Sequence, residues 1–147
     1  MQTDTVILIS EDDLGHGNLV EKILRRAGLS NDIKRFFNGE EILNFLFRKG
    51  DGEHRTNNTN YVLVLDIQMP KINGIDVLHR IKEDISLKIL PVVMLTTTDN
   101  PTEIKKCYDL GCNNYVTKPV DYDDFVNVVK QMGLFLASVK VPTIIDS

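Results

Sequence analysis

The residues able to do chemistry in this chain stand in four places: Glu11-Asp12-Asp13, Asp66, Thr96 and Lys118. Each place lies at or just past the end of a short apolar run. Carboxylates that share a site repel, and one pair ~4 Å apart costs roughly 4 kcal/mol at an effective dielectric of about 20. Such a cluster needs a cation, or one member must keep its proton. Oxygen donors alone suit a hard ion, and Mg²⁺ takes one or two carboxylates together with waters and phosphate oxygens. Lys118 adds a point charge able to meet an anion, and Thr96 a hydroxyl donor. A carboxylate nucleophile, a hard cation, a lysine and a hydroxyl together describe phosphoryl transfer to aspartate, where positioning and charge neutralisation carry the catalysis.

Taken singly, each residue also has an ordinary role. Asp12 or Asp13 suits a helix N-cap or a first-turn partner of the helix dipole. Asp66, ahead of Ile67-Gln68-Met69-Pro70, suits a turn after a strand. Thr96 fits a loop cap, and Lys118 a solvated surface lysine. The chemical reading depends on whether the fold brings them together.

Five apolar runs alternate with helical patterns: Thr5–Ile9, Asp32–Phe36, Tyr61–Leu65, Pro91–Leu95 and Asn114–Thr117. Three are nearly continuous Val, Ile and Leu, as parallel strands covered on both faces should be. The second is shorter and more polar, which suits an edge. Between the runs the period becomes helical: Val20, Ile23, Leu24 and Ala27 share one face, with Gly28 placed as a left-handed cap. Asn38 and Glu41 predict a capping box. Asn100, Pro101 and Glu103 predict another helix start, and Gly111 its end. A last helix begins near Asp121 with Phe125, Val128, Val129 and Met132 on one face.

Alternating strands and helices of this length predict an α/β fold, a doubly wound five-stranded parallel sheet. In such a sheet the carboxyl ends of the strands form one rim where ligands bind. That rim is where residues 11 to 118 converge. The chain of 147 residues suits one domain. Its core is expected at about 5–133, with a C-terminal helix extension and tail over 134–147; the Gly50–Asn60 stretch reads as a long polar loop.

Composition excludes several classes. A net charge of −4 without a basic stripe argues against direct nucleic-acid binding. No apolar run reaches the ~18 residues of a membrane span, and no basic n-region marks a signal peptide. Cys107 and Cys112 lack metal-ligand spacing and read as buried thiols of a cytoplasmic protein.

Four segments in order resemble the receiver domain of two-component response regulators, over roughly residues 5–133. They are Val6-Ile-Leu-Ile-Ser-Glu-Asp-Asp, Val62-Leu-Val-Leu-Asp-Ile-Gln-Met-Pro-Lys-Ile-Asn-Gly, Val92-Val-Met-Leu-Thr-Thr and Gly111-Cys-Asn-Asn-Tyr-Val-Thr-Lys-Pro. The resemblance implies a (βα)5 flavodoxin-like fold with strand order 2-1-3-4-5. It implies phosphorylation of Asp66, with Mg²⁺ held by Glu11, Asp12, Asp66 and the Gln68 backbone carbonyl. Thr96 and Lys118 would meet the phosphoryl group, and Tyr115 would be the aromatic switch. Lys118-Pro119 would be a cis peptide. The implied partner is a sensor histidine kinase or a histidine phosphotransfer protein, docking at the first helix near Asn18, Lys22 and Arg25.

Thr97 stands where relatives more often carry a smaller residue, which predicts tighter access. The long loop and extended C-terminus resemble stand-alone regulators paired with phytochrome-type kinases. With no output segment in the chain, action by contact is expected. One form is a homodimer through the fourth and fifth helices, with Phe135, Leu136 and the Val/Ile tail supplying apolar surface. The expected activity is self-phosphorylation and slow loss of the phosphoryl group, not turnover. The rival is an Asp-nucleophile phosphatase, which needs a general acid two residues after the nucleophile; that position is Gln68. A flavodoxin-like cofactor binder needs a phosphate cradle after the first strand, where this chain has three acids.

Overall fold

The structure, a computed structural model, describes residues 1–146. In chain order it contains β1 (Val6–Ser10), α1 (Leu14–Arg26), β2 (Ile33–Phe36), α2 (Gly39–Phe47), β3 (Thr59–Leu65) and α3 (Gly74–Glu83). Then come β4 (Val92–Thr96), α4 (Pro101–Leu110), β5 (Asn114–Thr117), α5 (Tyr122–Ser138) and β6 (Thr143–Ile144). The first five strands form a parallel sheet in the order β2-β1-β3-β4-β5, with the short polar β2 at the edge.

Strand parity sorts the core into two layers, because successive side chains point to opposite faces. Leu8, Leu63, Leu65, Val92 and Met94 face α2 and α3, against Ile42, Phe45, Leu78 and Ile81. Ile7, Ile9, Val62, Val64, Val93 and Leu95 face α1 and α5, against Val20, Leu24, Phe125 and Val129. Both faces are covered, which is why these strands carry so few polar residues.

The helix ends follow local chemistry. Asn38 Oδ1 accepts from the Glu41 N–H at 2.8 Å, and Glu41 Oε1 accepts from the Phe37 N–H at 3.0 Å. Asn100 caps α4 with Pro101 in its first turn, and Gly111 closes it at φ 108°. There the Cys112 N–H reaches Cys107 O and the Gly111 N–H reaches Tyr108 O, a complete Schellman closure. Cys107 and Cys112 are free and buried, as expected.

Three expectations need correcting. The tail supplies less apolar surface than its composition suggests: β6 pairs antiparallel with the start of β3, Thr59 against Ile144 and Asn60 against Thr143, which leaves Ile145 exposed. Ile144 is consequently buried, Val141 is buried in the α1/α5 layer, and β3 begins two residues before the apolar run. Leu136 also points into the core, fully buried, so Phe135 alone of the two helix residues stays on the surface. Finally, no peptide bond among the described residues is cis, so Lys118–Pro119 is trans. Trans is the intrinsic preference of an X-Pro bond by ~0.5–1 kcal/mol. The Lys118 N–H donates to Thr96 O at 2.7 Å in that geometry.

Candidate functional site

The rim at the carboxyl ends of β1, β3, β4 and β5 gathers the predicted residues. The first two strands of the site are in register, Ser10 beside Leu65, so Glu11 and Asp66 leave the sheet side by side. The Asp66 N–H continues the ladder to Ser10 O at 3.1 Å. At the other flank Thr96 pairs with Thr117, which delivers Lys118 one residue later. Glu11, Asp66, Thr96 and Lys118 are all buried, an unusual concentration of polar side chains in the interior.

Lys118 Nζ is bonded to Glu11 Oε1 and lies 3.2 Å from Asp66 Oδ2. Its side chain is 3% exposed. A buried ammonium is tolerated only when paired, and here two carboxylates share it. Even so, the Glu11 carboxyl is pushed up to about 7, first by burial, with the Lys118 hydrogen bond opposing and the Asp66 charge adding to the rise. One ammonium does not neutralise this cluster.

A carboxylate oxygen from each of Glu11, Asp12 and Asp66 lies within 4.8 Å of the others. Asp12 is exposed, open to a ligand from solvent. The donor set is all oxygen and carries excess negative charge, which fits a hard divalent cation. Asp13 is excluded from it: its Oδ1 accepts from the His16 N–H at 2.9 Å and caps α1. Gln68 is exposed, and its N–H lies 3.4 Å from Asp66 Oδ1. The Ile67 carbonyl is taken by Met69 and Gly74, whereas the Gln68 carbonyl accepts no backbone hydrogen bond among the described residues.

Thr96 is fully buried and its Oγ1 has no partner among the described residues. An orphaned buried hydroxyl costs about 1–3 kcal/mol, a cost that an incoming acceptor would remove. Tyr115 is half-buried with its hydroxyl donating to Thr98 O at 2.7 Å, and burial first, then nearby Cys107, pushes that phenol up to about 12. Thr97 is exposed, and its Oγ1 donates to Gln68 Oε1 at 3.4 Å, a link between the loops after β3 and β4. Of the residues expected on the docking helix, Arg25 spends its guanidinium on Leu29 O at 2.8 Å and Asn31 O at 2.6 Å.

Sequence reasoning missed two contributors. Gly74 comes so close to Asp66 that a Cβ there would collide with the Asp66 carbonyl oxygen. The glycine in the second matched segment was the available signal. His16 lies with Nδ1 3.3 Å from Lys118 Nζ. Its position one turn past Asp13, at the rim end of α1, was the only hint.

Comparison with known proteins agrees with this fold. The family model of the response regulator receiver domain matches residues 7–130. A response regulator receiver domain from Rhodospirillum rubrum superposes with a TM-score of 0.90 at 43% identity, covering 96% of this chain and 99% of that one. Response regulator Rcp1 of Synechocystis is 31% identical over 93% of this chain and 92% of its own. The structure of its Mn²⁺-bound form matches at 30% identity with a TM-score of 0.84, over 94% of this chain and 99% of that one. The phosphorylated cyanobacterial phytochrome response regulator RcpA matches at 28% identity and a TM-score of 0.83, over 97% of this chain and 100% of that one. An acidic, lysine-bridged rim on a 2-1-3-4-5 sheet and a family match over most of its length lead to one conclusion: this chain belongs to the response regulator receiver domains of two-component signalling.

Proposed function

We propose that Asp66 accepts a phosphoryl group from a phosphohistidine of a sensor histidine kinase or a histidine phosphotransfer protein, with Mg²⁺ held by Glu11, Asp12, Asp66 and the Gln68 carbonyl. The observation that carries this reading is the buried Lys118 ammonium shared by Glu11 and Asp66, beside the carboxylate cluster. The Mn²⁺ in the Rcp1 relative and the phosphorylated state of RcpA support it by kinship. When bound, the cation supplies charge neutralisation at the phosphoryl oxygens.

The remaining work falls to the chain. An Asp66 carboxylate oxygen attacks phosphorus; the new O–P bond forms as the N–P bond breaks, and its electron pair returns to the donor imidazole. Lys118 turns an N–H from Asp66 Oδ2 to a phosphoryl oxygen. Thr96 Oγ1, orphaned at rest, donates to another. Movement of Thr96 opens space toward which Tyr115 shifts, giving up its bond to Thr98 O. Phosphorylation adds nearly one full negative charge and strong acceptors, enough to bias a two-state element. Gln68 offers no acid two residues after the acceptor, so the group is held as a signal and lost slowly. The free, buried thiols suit a reducing cytoplasm. The output is a changed surface over α4, β5 and α5, read by a protein partner or by a second copy of the chain.

Beryllofluoride with Mg²⁺, followed by amide NMR spectra, tests the reading. Wild type should saturate into a second set of resonances, and Asp66→Asn should not respond. The same spectral change in Asp66→Asn would overturn the assignment.

A further inference from the structure

An ammonium has three N–H donors and no acceptor. At Lys118 two of them are used by Glu11 Oε1 and Asp66 Oδ2. The third partner is His16 Nδ1, 3.3 Å away. Lys118 can only donate, so Nδ1 is the acceptor and the ring proton sits on Nε2. The imidazole is fixed from two sides. Its residue's N–H is bound to the Asp13 cap at 2.9 Å, and its ring lies against Phe125 of α5 with centroids 5.5 Å apart.

We propose that His16 is a positioning residue that keeps Lys118 Nζ beside Asp66 once a divalent cation draws on the carboxylates. The inference rests on the reading of Asp66 as the phosphoacceptor. Glu11 and Asp66 serve Lys118 in the resting site, yet both are also among the oxygens a cation would claim. The cation would also repel the ammonium. His16 Nδ1 is the one acceptor of the three for which a hard, oxygen-seeking ion does not compete. It holds the ammonium at the rim, ready for a phosphoryl oxygen. Packing alone does not require histidine here, since a leucine would cover Phe125 as well. With its side chain 42% exposed, His16 is not a core residue.

The test uses the whole chain, Mg²⁺ and the small donor phosphoramidate, so that docking of a protein partner plays no part. His16→Leu keeps the packing and removes the acceptor; His16→Asn puts a neutral oxygen near the place of Nδ1. His16→Leu should slow phosphorylation of Asp66 about tenfold, the effect of one lost charge-assisted hydrogen bond, with Mg²⁺ affinity unchanged. His16→Asn should restore most of the rate, and in a Lys118→Met background His16→Leu should add nothing. Nitrogen-15 spectra of the Mg²⁺-bound wild type should show the Nε2–H tautomer of His16. A wild-type rate in His16→Leu, or an equal loss in the Lys118→Met background, overturns the inference and leaves the phosphoacceptor reading intact. A wild type that takes no phosphoryl group on Asp66 overturns both.

Discussion

Glu11 is a carboxylic acid buried between an ammonium that favours its ionised form and a second carboxylate that opposes it. Burial decides the balance and pushes its carboxyl up to about 7. A folded state that holds a proton the unfolded chain releases gains stability below the ordinary carboxylate range. It loses that gain as pH rises through the raised value. Cation binding runs the other way, since a ligand carboxylate must be ionised. The affinity for Mg²⁺ should therefore rise with pH and level off above the value of about 7. Calorimetry in two buffers of different ionisation enthalpy should show a proton released on binding near pH ~6 and none at ~8.5. Glu11→Gln should flatten both curves, and a wild type already flat would show that Glu11 is ionised in the resting site. At this scale the types were legible, because Glu11, Asp66, Thr96 and Lys118 each stand at a strand end. Their division of labour was not. Whether Asp12 or Asp13 caps the helix depends on which carboxylate reaches the His16 N–H, a matter of one residue's phase.

The elements that position the site announce themselves through period and caps, and β6 does not. Two residues carry no periodicity, and Val141, Pro142 and Thr143 resemble any polar-apolar tail. Its placement follows from contacts 80 to 100 residues away in the chain, which local patterns cannot encode. Arg55, in the long loop, is buried with its Nε donating to Leu46 O at 2.8 Å and its guanidinium 2.8 Å from Asp146. Arg48 meets the same carboxylate at 2.7 Å, and the Asn58 N–H reaches Ile144 O at 3.0 Å. The loop and the tail thus clasp each other across β3. Removing residues 140–147 takes away the buried Val141 and Ile144 and leaves Arg55 without its counter-ion. Each buried aliphatic side chain contributes ~1.5–3 kcal/mol, so the truncated chain should lose ~3 kcal/mol or more. Urea unfolding monitored by circular dichroism should show the midpoint fall. An unchanged midpoint would mean the clasp contributes nothing to stability.

For the molecule as a whole, the doubly wound architecture was readable because both faces of the sheet are covered, so buried runs and amphipathic helices had to alternate. What the same logic cannot reveal is which outer surface changes, since surface exposure depends on where each helix end lands. The structure leaves β5 as an edge of the main sheet, and a groove between β5 and α5 is lined by Tyr115, Val116, Val128, Met132 and Phe135. Phe135 of this lining is 42% exposed, and Tyr108, whose hydroxyl accepts from the Tyr115 N–H, is 47% exposed. Tyr115 belongs both to this groove and, through its bond to Thr98 O, to the loop that follows Thr96. Under the proposed switch, a shift at Thr96 would reach this apolar surface through Tyr115. If a second copy reads that surface, sedimentation at ~50 µM should show monomer in the resting state and dimer after beryllofluoride and Mg²⁺, the population shift following the ligand's differential affinity. Phe135→Asp should remain monomeric while still binding beryllofluoride, because residue 135 lies outside the carboxylate cluster of Glu11, Asp12 and Asp66. A wild type that stays monomeric in both states would remove the homodimer from the proposal and leave the groove to another protein. A Phe135→Asp chain that dimerises as well as wild type would move the contact off this face.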